Sequence, residues 1–318
     1  MPFLMRVARL FARPIAVSAL ACTAVLPIQP RAHEGTYRMS RPVGRLPVVV
    51  SLSTTVVADL GAGARCTRLV AAGDDLYVLD AAAAHVRRYI LNGLPYALQT
   101  TQVMRWREGD NGLIMGRPLD LFLSGERLLI LDSLGSLWSY WGPSYGRALV
   151  PLRLQSSQGA PSAVALHGDD LLLLDNDRRQ VWDYALRAGG YDTVPRALLS
   201  RPLTAAPAAR LAVTARSLLI LRADGALVSY LWGQPMAATL RAPLAVTALW
   251  AGAAHARFLA TSARELAILS GDGAVRWRAP VAGLDGETLR DVALSPSDQL
   301  YLLTGTRILL VTARVPAL

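Results

Sequence analysis

One pattern of sixteen to eighteen residues, met six times, limits what this chain can fold into more than its composition does. The stretch "DDLLLLDNDRRQVWDYAL", residues 169–186, holds a polar turn, a short apolar run, a second polar turn and an aromatic-bearing run. "DDLYVLDAAAAHVRRYIL" at 74–91 and "ERLLILDSLGSLWSYWG" at 126–142 have the same form. So do "RSLLILRADGALVSYLWG" at 216–233, "ARFLATSARELAILSGDG" at 256–273 and "DQLYLLTGTRILLVTA" at 298–313. Marking the last residue of each first run gives Asp80, Asp132, Asp175, Arg222, Ser262 and Thr304, spaced by 52, 43, 47, 40 and 42 residues. Periods of this size belong to chains built from stacked supersecondary units.

The runs are too short for helices, and their Asp, Gly, Ser and Asn boundaries read as strand ends. Another apolar run precedes each copy ("RLVAAG", "LDLFLSG", "AVALHG", "RLAVTA", "TALWAG", "DVALSPS"), and a fourth follows, as in "TTQVMRW" at 100–106 or "RALVPLRL" at 147–154. Four antiparallel strands per repeat and six repeats, with no helical pattern between them, predict an all-β, six-bladed β-propeller. The last copy supplies three strands, and "LPVVVSLSTTVVADL" at 46–60 precedes the first copy. That segment is expected to pair with 307–313 as an outer strand and to close the ring, removing a sheet edge.

The copies resemble the repeats of NHL-type six-bladed propellers and their bacterial relatives. "APSAVALHGDDLLLLDNDRRQVWDY" at 160–184 carries the resemblance along its length, and "RPLDLFLSGERLLILD" and "LRDVALSPSDQLYLL" match its first half. "AILSGDGAVRWRA" at 267–279 leans toward the tryptophan-bearing repeats of quinoprotein-like propellers. The resemblance implies the fold and leaves function to individual sites.

The first 33 residues are different material. "MPFLMRVARLFAR" is basic, and "PIAVSALACTAVLPI" at 14–28 is an apolar run of 15, the length of a signal-peptide core rather than of a full span. Residues 1–33 therefore read as a signal peptide or a membrane anchor, 34–45 as a linker and 46–318 as the propeller. "ALAC" places Cys22 as a candidate lipidation site. The body is expected outside the cytoplasm, touching membrane only through this segment. If Cys22 leaves or carries lipid, Cys66 has no partner for a disulfide.

Formal charge is +10, carried by 33 arginines and no lysine. From Glu34 onward 29 Arg face 23 Asp and Glu, scattered without a basic stripe. That balance reads as codon bias, and no nucleic-acid partner is expected.

No HExxH, CxxC, G-x-S-x-G or Walker-type pattern occurs, and the three asparagines (Asn92, Asn111, Asn176) fall in turns. Neither a metal nor a cofactor is expected, and no catalytic residue is assigned. Aligning the six first strands on the turn that follows them stacks Arg68, Asp120, Ala163, Arg210, Thr247 and Asp291 at one position. The four charges and Thr247 form a candidate ligand-binding ring at the channel mouth, or else a self-paired structural network. Candidate interaction residues are Arg107 and Asp110 in "WREGDNGLIMGRP", and Arg178, Arg179, Arg222 and Asp224 in the turns between second and third strands. The function expected is a monomeric, non-enzymatic scaffold for a protein or cell-envelope partner. The alternative is a secreted propeller enzyme, a metal-dependent hydrolase or a quinoprotein-like oxidoreductase with an atypical channel site.

Overall fold

The computed structural model describes residues 51–316 apart from 73–74, 92–97, 106–115, 125–126, 142–151, 154–158, 160, 188–189, 193, 200, 204–206, 234–237, 241–244 and 253–254. All of these fall in the unit Arg45–Leu318. The expected signal or anchor, the linker, Cys22, Arg107 and Asp110 lie outside the described residues.

Runs such as "LLLL" make strands because each is covered on both faces, which removes the need for alternation. Leu171 to Leu174 are all buried, as are Leu218 to Leu221. These central runs belong to four-stranded antiparallel sheets, of which the described residues form six. The first sheet takes Cys66–Ala72, Asp75–Asp80, His85–Leu91 and Leu98–Arg105 in that order. The second takes Pro118–Ser124, Arg127–Asp132, Ser136–Trp141 and Leu152–Arg153. The third takes Pro161–His167, Asp170–Asp175, Gln180–Tyr184 and Arg196–Ala197, and the fourth Ala208–Val213, Ser217–Arg222, Leu227–Leu231 and Ala238–Leu240. The fifth takes Ala248–Trp250, Phe258–Thr261, Glu265–Leu269 and Val275–Pro280.

The sixth is assembled from distant parts of the chain. Asp291–Leu294, Leu300–Leu303 and Arg307–Val311 are joined by Thr54–Asp59 as the outer strand. The register runs from Thr54 opposite Val311 to Asp59 opposite Arg307, with a bulge between Val56 and Ala58. One element lies outside the repeat: a small hairpin, Leu186–Arg187 with Gly190–Tyr191, precedes the short outer strand of the third sheet. Gly190, which opens its second strand, has φ 119°, a backbone shape that the apolar-run pattern does not encode.

The first strands lie side by side in cyclic order, each sheet's against the next and the sixth sheet's against the first. Six apolar clusters fill the spaces between successive sheets. One of them packs Tyr301, Leu303 and Ile308 of the sixth sheet against Leu69, Leu76 and Val78 of the first. Each buried leucine contributes about 1.5–3 kcal/mol relative to an exposed one, so these interfaces hold the sheets together.

Candidate functional site

The first strands begin with an irregularity that decides where their side chains point. In the first four sheets a bulge falls between Cys66 and Arg68, Pro118 and Asp120, Pro161 and Ala163, and Ala208 and Arg210. A bulge leaves one residue out of the ladder and re-aims the next. Directly after it, Arg68 faces Leu79, Asp120 faces Leu131, Ala163 faces Leu174 and Arg210 faces Leu221. In the sixth sheet Asp291 faces Leu303 at the same register.

The fifth sheet corrects the sequence alignment by one residue. Ala248, not Thr247, pairs with Thr261 in the equivalent register. Thr247 lies one step earlier, exposed, with its hydroxyl 3.0 Å from Thr261 Oγ1 and donating to Leu289 O at 3.3 Å. The turn after this first strand is longer than in the other copies, so counting back from the turn misplaces the register.

The four charges are fastened between sheets. Asp120, fully buried, forms an ion pair with Arg68 Nε of the preceding sheet. It also accepts the N–H of Leu121 at 2.8 Å and of Val164, in the following sheet, at 2.9 Å. Asp291 makes the same strut from the sixth sheet to the first, accepting the N–H of Leu69 at 2.8 Å. Arg210 reaches three sheets across and donates from Nη2 to the carbonyl of Thr67 at 2.6 Å. Thr67 is the bulged residue, so its carbonyl is available for that bond.

The cluster is short of solvation. Burial pulls the Arg210 guanidinium down to about 10, with Arg68 adding repulsion and Asp291 and Asp120 opposing both. Burial pushes the Asp291 carboxyl up, against the pull of Arg210, Arg68 and the Leu69 and Val292 amides. A buried charge keeps its charge only where partners offset lost hydration, and here two arginines and two aspartates share that task.

A cavity of about 340 Å³ extends from this cluster along all six first strands toward the turns that join first to second strands. Its walls include Val70, Phe122, Ala212 and Trp250, and Arg68 and Asp291 stand at the charged end. The expected ring lay at a mouth opening the other way. Inward-facing residues of the first strands are mixed with outward ones in the same apolar run, which conceals the cavity in the sequence.

A second polar feature caps the repeats. The marker residues Asp80, Asp132 and Asp175 are buried at the ends of second strands. Asp132 accepts from Leu134 N, Ser136 N, Gly116 N and Trp138 Nε1, all at 2.8–2.9 Å. Gly116 is required there: a Cβ would stand 2.7 Å from Ser133 Oγ and 3.0 Å from Leu134 N. Asp175 accepts from Asp177 N, Arg178 N and Trp182 Nε1 at 3.0–3.3 Å. The fourth copy has Arg222, which is buried and paired with Asp224 at 2.5 Å, so this pair is consumed within its own turn. Arg178 and Arg179 are exposed on the corresponding turn of the third sheet. Arg178 lies 5.8 Å from the Trp182 ring centroid, and Arg179 has a left-handed φ of 53°.

Cys66 is buried, and burial together with Asp80 pushes its thiol up to about 12. Among the described residues no group of three or more His, Cys, Asp or Glu is placed to hold a metal ion. No helix of the described residues is long and apolar enough to cross a membrane.

No protein-family model and no curated protein sequence matches this chain. Solved structures do. The structure of U3-55K aligns with TM-score 0.57 at 11% identity, covering 81% of this chain and 98% of that one. The WD40 repeats of RRP9 align with TM-score 0.58 at 10% identity over 82% and 99%. Streptogramin B lyase aligns with TM-score 0.50 at 10% identity over 82% and 97%. At such identities the likeness is one of fold alone, and the fold they share with this chain is the all-β propeller.

Proposed function

We propose that this chain is a six-bladed propeller, closed by its N-terminal strand, that acts outside the cytoplasm as a non-enzymatic scaffold for a protein or cell-envelope partner. One observation carries the reading: Asp120, Asp291 and Arg210, charges of the first strands, are engaged in bonds between sheets. Groups committed in that way hold the ring, and recognition of a macromolecular partner passes to the faces. Exposed Arg178 and Arg179 place basic chemistry on the turns between second and third strands. The WD40 repeats of RRP9 are a propeller neighbour consistent with this use of the fold.

Capture from a solubilised envelope fraction, read by mass spectrometry, tests the scaffold. A specific partner is expected with the wild type, and Arg178→Ala with Arg179→Ala reduces it several-fold. Stoichiometric calcium or quinone in the purified protein, together with turnover, would replace this reading with the enzyme. Cell fractionation tests the location: full-length, unprocessed protein in the cytosol sinks it. For closure, deleting residues 46–58 is expected to cause aggregation or a large drop in melting temperature. An unchanged melt rules that closure out.

A further inference from the structure

The cavity along the first strands has a polar end and apolar walls, and the two halves ask for different parts of one molecule. Arg68 is 7% exposed and stands at the polar end. Its Nε faces the Asp120 carboxylate as an ion pair without the geometry of a hydrogen bond. Among the described residues no hydrogen bond leaves its Nη1 or Nη2. A guanidinium carries five N–H donors, and those of Nη1 and Nη2 open on the cavity without a protein acceptor. Asp291 beside it differs, because its carboxylate already accepts from Leu69 N. Donors are therefore in surplus at this end.

The sum of the four charges sets the kind of acceptor. Arg68, Arg210, Asp120 and Asp291 cancel, and burial already pulls Arg210 down and pushes Asp291 up. An added anion would be desolvated without net countercharge, and a cation would meet two arginines. A carbonyl oxygen accepts from Arg68 without either cost. The walls beyond it, from Val70 and Phe122 to Trp250, offer only apolar contact to the remainder of the molecule. At about 340 Å³ the space is within the size range of small-molecule sites.

We infer that the axial cavity binds a small, uncharged, largely apolar molecule that presents a carbonyl group to Arg68. The site is reached from the end bearing the turns between first and second strands, opposite the face assigned to the partner. Calorimetry of the full chain with three eight-carbon probes tests it: octanamide, octanoate and octylammonium. Octanamide is expected to bind one to one and at least about tenfold more tightly than either ion. Arg68→Leu should weaken it by a similar factor. That variant also strands Asp120, so a second variant leaves the charges in place. Ala71→Phe fills the cavity from the far end of a first strand, where Ala71 is half-buried, and should abolish octanamide binding with an unchanged melt. A preference for octanoate or octylammonium overturns the inference. So does binding that survives Ala71→Phe, or failure of all three probes to bind. Partner capture by Ala71→Phe stays at the wild-type level, so the scaffold and the cavity site fail separately.

Discussion

The turns between second and third strands divide the molecule into two chemistries. In the first three sheets a buried carboxylate sits at the marker position, as Asp80, Asp132 and Asp175. In the last two a hydroxyl does: Ser262 Oγ accepts from Glu265 N at 3.2 Å, and Thr304 Oγ1 from Arg307 N at 2.9 Å. A hydroxyl caps its own turn, and that of Thr304 also bonds the Glu287 carboxylate. Asp132, with two oxygens and four donors, ties the turn to the indole of Trp138 and to Gly116 in the segment ahead of its sheet. Asp80 likewise takes Ala82 N and Arg65 N, at 3.1 and 3.4 Å. The early half of the chain thus fastens loops to sheets with side-chain bonds. In the sixth sheet the marker hydroxyl shares that task with its neighbours: Arg307 donates to Asp285 and to Leu284 O, and Thr306 donates to Glu287, all in the segment ahead of the sheet.

The comparison breaks if the two kinds of marker are worth the same. Asp132→Ala should be the most damaging change, leaving the buried Ser136 N and Trp138 Nε1 without an acceptor and releasing the Gly116 and Leu134 amides, at on the order of 4 kcal/mol in denaturant unfolding. Thr304→Ala, which loses its turn's bonds and a half-buried bond to Glu287, should cost about 1 kcal/mol. Equal losses would show that the carboxylate's reach to Gly116 and Trp138 contributes nothing.

A smaller effect belongs to the ring, which both halves share. Burial raises the Asp291 carboxyl above its ordinary 3.8, so the folded state holds that proton more tightly than the unfolded one. The resulting stability is fully present below 3.8 and is lost as pH climbs through the raised folded value. From acid toward neutral pH the wild type should therefore lose melting temperature relative to Asp291→Asn. A constant difference between the two proteins across that window would mean that burial does not govern this carboxyl.

Much of the fold was legible because strand signals are local. The apolar runs ending at Asp80, Asp132, Asp175 and Arg222 are the second strands, to the residue. The segment expected at 46–60 contains the strand Thr54–Asp59, paired as anticipated with Arg307–Val311. The candidate site was legible only in part. Arg68, Asp120, Arg210 and Asp291 share a register, each facing the residue before the marker on its second strand. Thr247 does not, because Ala248 takes the place. Arg222, a candidate interaction residue on its sequence, is buried against Asp224, since a charge in a turn does not reveal which way it folds.

The sequence by itself determined the four-strand repeat, where most second strands end and which runs must be covered on both faces. Those properties follow from the spacing of apolar and turn residues within a few positions. Only the tertiary structure decided what the charges do. Asp291 meets Leu69 N across 222 residues of chain, and Arg210 meets Thr67 O across 143. Both meetings depend on bulges and on the side-by-side packing of first strands. No local pattern carries that information, because a bulge changes where a side chain points without changing which residues surround it in the chain.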